Sequence, residues 1–342
     1  MDEKGMIGGR YKILDILGTG GVGRTYRAFD EKLGRYVAIK KFMPMGLIDE
    51  DGRSQLPTIS VEKYEKLRRR FLEEARKLAR IKHEGIPEVY DILEENGAIY
   101  IVMELVKGMN LRELVEKRGK LDLNFALNTF SRICDIVGFM HEKGIIHCDL
   151  KPDNVIMDED GNVKIVDFGS AREYIGEYTQ TQPGFFTPGY APIELYAFKI
   201  PKGPFTDVYS LGGILYFMLT GKDPVSAPDR VGGILLPSVR KFNPNVPEHL
   251  EKAIFKAMAM DPNERFRNVD ELKKAIAADY ETENVEYIGV GMDEEKKKKD
   301  FEIDEEETVF FSGCLKVIIL SILTFIFIFF VLRFCSRFIL IL

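Results

Sequence analysis

The hydrophobic pattern at the front of the chain is that of short strands. Tyr11 to Leu17 is rich in β-forming residues and runs into glycines, and Tyr36 to Ile39 is a short apolar run. A second pair of strands is expected from about Glu88 to Met103, with its turn at Asn96-Gly97. The pattern therefore predicts a strand-rich N-terminal part.

Helical spacing appears once between these strands and dominates after Gly108. In the first helix Phe71, Glu74 and Leu78 recur at i, i+3 and i+7, so the Glu74 side chain lies on the inward face. Four later helices are marked by Ala126, Phe130, Ile133, Val137 and Met140, by Val208, Leu211, Leu215 and Met218, by Leu250, Ile254 and Ala257, and by Leu272 and Ile276. Strands followed by helices predict an α+β fold of two lobes.

The C-terminal part has a different composition. Asp293 to Glu307 is almost entirely charged, which is typical of a solvated linker. Val317 to Leu332 is apolar except for Ser321 and Thr324, and about 20 such residues span a bilayer. We expect a linker at 279–313, a transmembrane helix at 314–333 and a short tail at 334–342. A buried core helix is the alternative. Unbroken apolarity on every face, after a charged linker and away from the domain, argues against it.

Composition excludes several classes of protein. The net charge of -6 gives no reason to expect a nucleic-acid partner. The four cysteines, Cys134, Cys148, Cys314 and Cys335, include no C-x-x-C pair, so neither a zinc site nor a disulfide framework is predicted. The first residues are polar, and no secretory signal peptide is expected.

Gly18, Gly20 and Gly23 form a G-x-G-x-x-G motif, which is weak evidence alone. One interpretation is a glycine-rich hairpin turn. A dinucleotide site requires a helix directly after the glycines, whereas Thr25 to Ala28 has the pattern of a strand. A glycine loop between two strands can cover a nucleotide and donate backbone N–H groups to phosphate oxygens.

Lys40 ends the apolar strand Val37-Ala38-Ile39-Lys40. It is either a surface lysine or a phosphate ligand that needs a carboxylate partner. Glu74 is the candidate partner, because a charged side chain on an inward helix face is rarely unpaired.

The densest group of reactive side chains is His147 to Asn154. Asp149, Lys151 and Asn154 lie within six residues, and Asp167 begins an Asp-Phe-Gly triplet thirteen residues beyond Asn154. Phosphoryl transfer to a hydroxyl group needs a carboxylate base, a cation near the phosphoryl group and oxygen ligands for Mg²⁺. These residues supply all three.

Together these motifs resemble the eukaryotic-type serine/threonine protein kinase family, and most closely its bacterial members. The resemblance covers residues 11–278 and implies an N-lobe at about 11–106 and a C-lobe at about 107–278, after an N-terminal tail at 1–10. It implies that Lys40 and Glu74 form the phosphate-anchoring ion pair. The residues implied in chemistry are Asp149 as catalytic base, Lys151 beside the phosphate, and Asn154 and Asp167 as metal ligands.

The resemblance also implies the nucleotide site and its ligands. ATP and Mg²⁺ are expected, with Mn²⁺ as an alternative ion. Gly18, Gly20 and Gly23 would cover the phosphates. The residues implied around adenine are Leu17, Ala38 and Ile156 against the base, Met103 as gatekeeper and Glu104 to Val106 as hinge.

The resemblance has three further implications outside the nucleotide site. Thr187 accords with the serine/threonine branch, Glu194 should pair with Arg265, and Asp207 should lie in a buried helix.

Cys148 stands where the family usually has an arginine that grips a phosphorylated activation loop. One hypothesis is that Thr179 or Thr181 phosphorylation does not switch activity, and the alternative is that Arg172 takes over the grip. A redox role for Cys148 is the less favoured hypothesis, since buried thiols are inert.

The segment between Lys40 and Glu74 is longer than in most members of the family. We interpret it as a solvated insertion rather than a docking element.

The expected function is that of a membrane-tethered kinase in signal transduction that phosphorylates proteins and itself. Its partners would be protein substrates and membrane lipid, and dimerisation is left open. ATP requires a cytoplasmic kinase domain on a single-pass cell-membrane anchor, although Arg333 and Arg337 would then lie outside, against the positive-inside tendency. The rivals are an inactive kinase-like scaffold and a kinase of small molecules.

Overall fold

A computed structural model describes residues 5–19, 23–43, 61–168, 172–173, 187–197 and 200–277, except the side chains of residues 61, 63, 70, 74, 172 and 173. The chain divides into two compact units, Met1–Asn284 and Val285–Leu342, and every described residue belongs to the first. The described residues end at 277, so the predicted linker at 279–313, transmembrane helix at 314–333 and tail at 334–342 lie outside the description.

The N-lobe is built on one antiparallel sheet of six strands. The strands are β1 (Met6–Ile7), β2 (Tyr11–Thr19), β3 (Gly23–Asp30), β4 (Arg35–Phe42), β5 (Val89–Glu95) and β6 (Ala98–Glu104). Their order across the sheet is β1-β2-β3-β4-β6-β5. The glycine motif thus joins two paired strands, as predicted, and no helix follows it directly.

The turn predicted at Asn96-Gly97 is confirmed. Both residues have positive φ, at 51° and 76°, which is the geometry that a two-residue hairpin requires. It joins β5 to β6 in the order that the sequence indicated.

The N-terminal tail expected at 1–10 contains a short strand. Strand β1 pairs with β2, with Ile7 opposite Tyr11, and Ile7 is buried in the same apolar cluster as Tyr11. Arg10 also donates to the buried Asp30 at 2.7 and 2.6 Å. Two residues are too short for a periodic pattern, so this strand could not be predicted from the sequence.

Helix α1 (Val61–Leu78) covers the sheet. Phe71 and Ala75 are buried with Phe42, Ile99 and Ile101 of the strands, which confirms the inward face that the sequence predicted. Glu74 lies on the helix between Phe71 and Leu78, but its side chain is outside the description.

The C-lobe is helical and has its own, larger core. Its helices are α2 (Leu111–Arg118), α3 (Leu123–Glu142), α4 (Ile193–Tyr196), α5 (Pro204–Thr220), α6 (Ala227–Val231), α7 (Val239–Phe242), α8 (Glu248–Ala257) and α9 (Val269–Ala277). Every residue from Thr206 to Thr220 is buried, and α5 lies against α3, α8 and α9. The prediction of a buried structural helix around Asp207 is confirmed.

Two helices of this lobe go beyond the predicted pattern. Helix α3 runs on to Glu142, two residues past Met140, the last residue that marked it in the sequence. Helix α2 was not predicted, because it is short; Asn110 and Glu113 form a capping box that fixes its start.

Five further strands, each of two or three residues, lie between residues 109 and 173. They are β7 (Met109–Asn110), β8 (Ile145–Ile146), β9 (Val155–Met157), β10 (Val163–Ile165) and β11 (Arg172–Glu173). Strand β9 lies between β7 and β10, and β8 pairs with β11. Short 3₁₀ turns occupy Pro152–Asn154 and Pro262–Glu264.

The predicted pairing of Glu194 with Arg265 is also confirmed. Arg265 Nη1 and Nη2 donate to the two Glu194 carboxylate oxygens at 2.7 and 3.0 Å, and both side chains are fully buried. Arg265 further donates to the carbonyls of Ala259 and Phe205. A buried ion pair needs such additional hydrogen bonds to offset its lost hydration, so this pair fixes helix α4 to the C-lobe.

Among the residues described, no helix is both long enough and apolar enough to cross a bilayer.

Candidate active site

The two lobes meet in an ion pair. Lys40 lies two residues before the end of β4, and its Nζ is 2.7 Å from Asp167 Oδ1, which follows β10 in the other lobe. Lys40 is buried, whereas 41% of the Asp167 side chain is exposed. The pair therefore lies at an opening between the lobes and not in either core.

Asp149 and Lys151 lie together on the loop after β8. Lys151 Nζ is 3.2 Å from Asp149 Oδ2 and donates to Thr187 Oγ1 at 3.2 Å. Lys151 thus contacts both Asp149 and Thr187. Burial raises the pKa of Asp149 above its ordinary value, and the Lys151 ammonium opposes that shift.

Asn154 and Asp167 come together through the β9–β10 hairpin. Val155 is opposite Ile165, and the Val166 amide donates to the Asn154 carbonyl at 2.8 Å, so the residues flanking the hairpin are adjacent. The Asn154 amide nitrogen donates to the Asp149 carbonyl at 2.9 Å. The Lys40 ammonium lowers the pKa of Asp167 to about 2, so its carboxylate is ionised at neutral pH.

Asp207 of helix α5 binds the backbone of the loop that contains Asp149. The fully buried Asp207 carboxylate accepts the His147 amide at 2.8 Å and the Cys148 amide at 2.9 Å, and it lies 2.8 Å from His141 Nε2. Cys148 has a φ of +62°, which is unfavourable for a residue with a side chain. The two amide bonds hold this conformation and turn Asp149 toward the opening.

His147 forms a further internal support. Its Nδ1 accepts the Asp149 amide at 3.3 Å, so Nε2 carries the proton and faces the Val166 carbonyl at 3.4 Å. The imidazole packs against Phe168, with ring centroids 5.1 Å apart. His147 thus connects the Asp149 loop to the segment that carries Asp167.

The remaining candidates lie around the sheet edge and the connection between the lobes. Ala38 on β4 is the cross-strand partner of Met103 on β6, and Lys40 points to the same face two residues on. Glu104 and Val106 follow as half-buried residues in the connection. Leu17 and Gly18 are exposed at the end of β2, and Ile156 lies on β9 across from Lys164.

Gly23 begins β3 where its backbone passes close to β4. A Cβ built there would lie 2.3 Å from the Lys41 carbonyl oxygen, so only glycine fits. Gly20 lies outside the described residues.

A protein kinase domain model matches residues 11–277 of the chain. The chain belongs to the protein kinase family. Serine/threonine-protein kinase PrkC of Bacillus subtilis is 32% identical over 315 residues, which cover 88% of this chain and 45% of that protein. PknD of Chlamydia muridarum is 34% identical over 307 residues, with 78% and 31% covered. The chain spans less than half the length of these curated relatives.

The oxygen donors of this kinase domain fit a magnesium ion. Among the described residues no cluster of three or more His, Cys, Asp or Glu side chains could hold a metal. Mg²⁺ does not need one, since it is usually held by one or two protein oxygens together with phosphates and water. The Asp167 carboxylate and the Asn154 amide oxygen form such a partial set.

Several predicted kinase elements are not described. The side chain of Glu74 is among them, so its pairing with Lys40 stays a prediction. Thr179, Thr181 and the Arg172 side chain also lie outside the description, as does most of the segment between Lys40 and Glu74. Cys148 itself is described and buried, which accords with an unreactive thiol.

Sequence reasoning missed two groups that support the kinase site. Glu104 was predicted only as part of the hinge, but its carboxylate also pairs with Lys164 of the C-lobe at 2.8 Å. Arg112 was not singled out, yet it contacts Asp153 of the Asp149 loop. Neither pair is close in sequence, so no local pattern could have revealed it.

Lys40→Met should raise the pKa of Asp167 above about 2, because the cation that stabilises the carboxylate is removed while its desolvation remains. Because the pKa of Asp167 is lowered from 3.8 to about 2, the ion pair stabilises the fold above pH 3.8, and this stabilisation is lost as the pH falls toward about 2. The free energy of unfolding of the variant should therefore depend less on pH in this range. Carbon NMR of labelled aspartate would measure the pKa of Asp167, and unfolding experiments in acid would measure the pH dependence of stability. Lys41→Met, whose side chain points to the other face of β4, is the control. An unchanged Asp167 pKa in Lys40→Met would refute the interpretation.

Proposed function

We propose that this chain is a serine/threonine protein kinase that transfers the γ-phosphoryl group of MgATP to hydroxyl groups of proteins. The observation that carries the proposal is the convergence of Lys40 and Asp167 from opposite lobes beside Asp149 and Asn154. Each of these groups has one task in phosphoryl transfer, and transfer depends mainly on placement and charge neutralisation.

Asp149 is proposed as the residue that orients the acceptor. Its carboxylate accepts the proton of the serine or threonine hydroxyl while the oxygen attacks the γ-phosphorus and the bond to ADP breaks. Lys151, 3.2 Å from that carboxylate, lies where it can neutralise charge on the moving phosphoryl group. The bond from Lys151 to Thr187 ties this pair to residues 187–191, which are proposed to bind the acceptor peptide.

Lys40, Asn154 and Asp167 are proposed to hold the nucleotide. Lys40 donates to the phosphate oxygens, and Asn154 and Asp167 supply the protein ligands of Mg²⁺. The bound ion, or Mn²⁺ in its place, supplies positive charge against the phosphates. Leu17, Ala38, Ile156, Met103 and the 104–106 connection are proposed around adenine, with the glycine loop over the phosphates.

Asp149→Asn tests the activity directly. The wild-type chain should transfer labelled phosphate from γ-labelled ATP to serine and threonine of a protein acceptor and to itself. The variant should lose about 10²–10⁴-fold in rate, because the amide cannot take the proton. Its ATP affinity and melting temperature should be unchanged. Equal activity of the two proteins, or transfer only to small-molecule acceptors, would refute the proposal, and an inactive wild type that binds ATP would favour the scaffold alternative.

We also propose that residues 314–333 anchor the kinase in the cell membrane with the catalytic domain in the cytoplasm. The support is the sequence alone: an apolar stretch of spanning length follows a charged linker. A single-pass anchor of this kind suits a kinase that relays signals at the membrane.

The anchor predicts a difference between the full chain and one ending at residue 313. After cell lysis the full chain should sediment with membranes, resist alkaline extraction and be released by detergent. The shortened chain should remain in the supernatant with the same kinase activity. Recovery of both chains in the supernatant would rule out the anchor, and protection of the kinase domain from protease outside intact cells would check its orientation.

A further inference from the structure

Arg112 forms a two-sided ion pair beside the proposed catalytic loop. Its Nε donates to both Asp153 oxygens at 3.1 and 3.0 Å, and its Nη1 and Nη2 donate to the two Asp223 oxygens at 3.3 and 3.1 Å. Asp153 stands between Pro152 and Asn154, and Asp223 lies just beyond helix α5. One guanidinium therefore joins the catalytic loop to a distant part of the C-lobe.

Asp223 continues the connection to the segment 187–191. The Tyr190 hydroxyl donates to Asp223 Oδ1 at 2.6 Å. Burial and this hydrogen bond raise the pKa of Tyr190, so the hydroxyl stays a donor. Next to it, Gly189 has a φ of +87°, and a Cβ there would lie 2.6 Å from the Pro224 carbonyl oxygen. Residues 223 and 224 thus fix the segment at two consecutive positions.

The segment 187–191 is consequently tied to the catalytic loop in two ways. The first is the direct bond from Lys151 to Thr187. The second is the chain of contacts Asp153–Arg112–Asp223–Tyr190, which we call the Arg112 relay. A single bond leaves a segment able to pivot about it, whereas two separated attachments also fix its orientation.

The Arg112 guanidinium is less solvated than that of an ordinary surface ion pair, which contributes little. Only 22% of its side chain is exposed, compared with 40% of Asp153 and 53% of Asp223. Its guanidinium carbon lies 5.1 Å from the ring centroid of Phe217 and 6.0 Å from that of Tyr190. The planar fork binds one carboxylate on its Nε side and the other at its tip, a geometry that lysine cannot reproduce.

We propose that Arg112 is a positioning residue for the acceptor peptide: through the Arg112 relay it holds segment 187–191 in register with Asp149. The inference rests on the proposed kinase function. It predicts that the relay matters for transfer to a peptide hydroxyl but not for transfer to water, because water needs no docking segment. The nucleotide groups Lys40 and Asp167 belong to neither end of the relay.

The test compares Arg112→Ala, Arg112→Lys and Tyr190→Phe, with Lys117→Ala as the control. Lys117 is an exposed residue of the same helix. For each purified full chain, phosphate transfer from ATP to dephosphorylated casein, hydrolysis of ATP by water and melting temperature are measured. We expect Arg112→Ala and Arg112→Lys to lower kcat for casein about tenfold, since misplacement of a reactant costs rate, with ATP hydrolysis and the KM for ATP within about twofold. Tyr190→Phe should shift in the same direction, and Lys117→Ala should match the wild type.

A second measurement does not depend on activity. The amides of Tyr190 and Ala191 donate to the Thr187 carbonyl at 3.3 Å, so their hydrogen exchange reports on segment 187–191. Arg112→Ala should speed their exchange about tenfold while the amides of α3 keep their rates.

Two results would overturn the inference. One is unchanged exchange at 190 and 191 in Arg112→Ala. The other is an equal loss of casein transfer and ATP hydrolysis, which would mean that Arg112 supports the whole site. A wild type that transfers no phosphate to protein would refute the proposed function instead, and the exchange measurement would still decide whether the relay holds the segment.

Discussion

The site depends on one buried carboxylate. Asp207 has no exposure to solvent, yet it accepts the amides of His147 and Cys148 and lies against His141. A carboxylate buried away from water is costly unless it is hydrogen-bonded. These bonds therefore hold the loop at 147–149 in a fixed position on helix α5. In that arrangement Cys148 adopts an unfavourable positive φ, and the next residue, Asp149, faces the opening between the lobes. The large core around α5 supplies the rigidity that a strained loop needs.

The second constraint is the meeting of the lobes at Lys40 and Asp167. Lys40 lies within β4, paired with Ile101 of β6, and Asp167 follows the last residue of β10 by two positions. Strands therefore place both residues, while their side chains reach into the opening. The Glu104–Lys164 pair adds another link on the connecting side. A nucleotide placed between these links would touch groups from both lobes at once, which is why neither lobe alone could perform the proposed transfer.

The features that could be predicted from the sequence are those encoded by neighbouring residues or by an apolar pattern repeated over many residues. The turn at Asn96-Gly97 follows from two residues whose backbone preference is strong, and helix α3 from many apolar residues in register. The Glu194–Arg265 pair was predicted through family resemblance, since the two residues are far apart in sequence. Strand β1 was missed because two residues form no periodic pattern, and the Arg112 relay because its residues are brought together only by the finished fold.

The proposed function requires that Lys40, Asp167 and Asn154 surround one nucleotide and its metal ion. A crystal structure of the chain grown with Mn²⁺ and a non-hydrolysable ATP analogue would show whether they do, because manganese scatters anomalously. We expect manganese bound to oxygens of Asp167 and Asn154, a phosphate oxygen on Lys40 Nζ and the γ-phosphate facing Asp149. Manganese elsewhere, or a nucleotide that leaves Asp167 and Asn154 without contact, would contradict it.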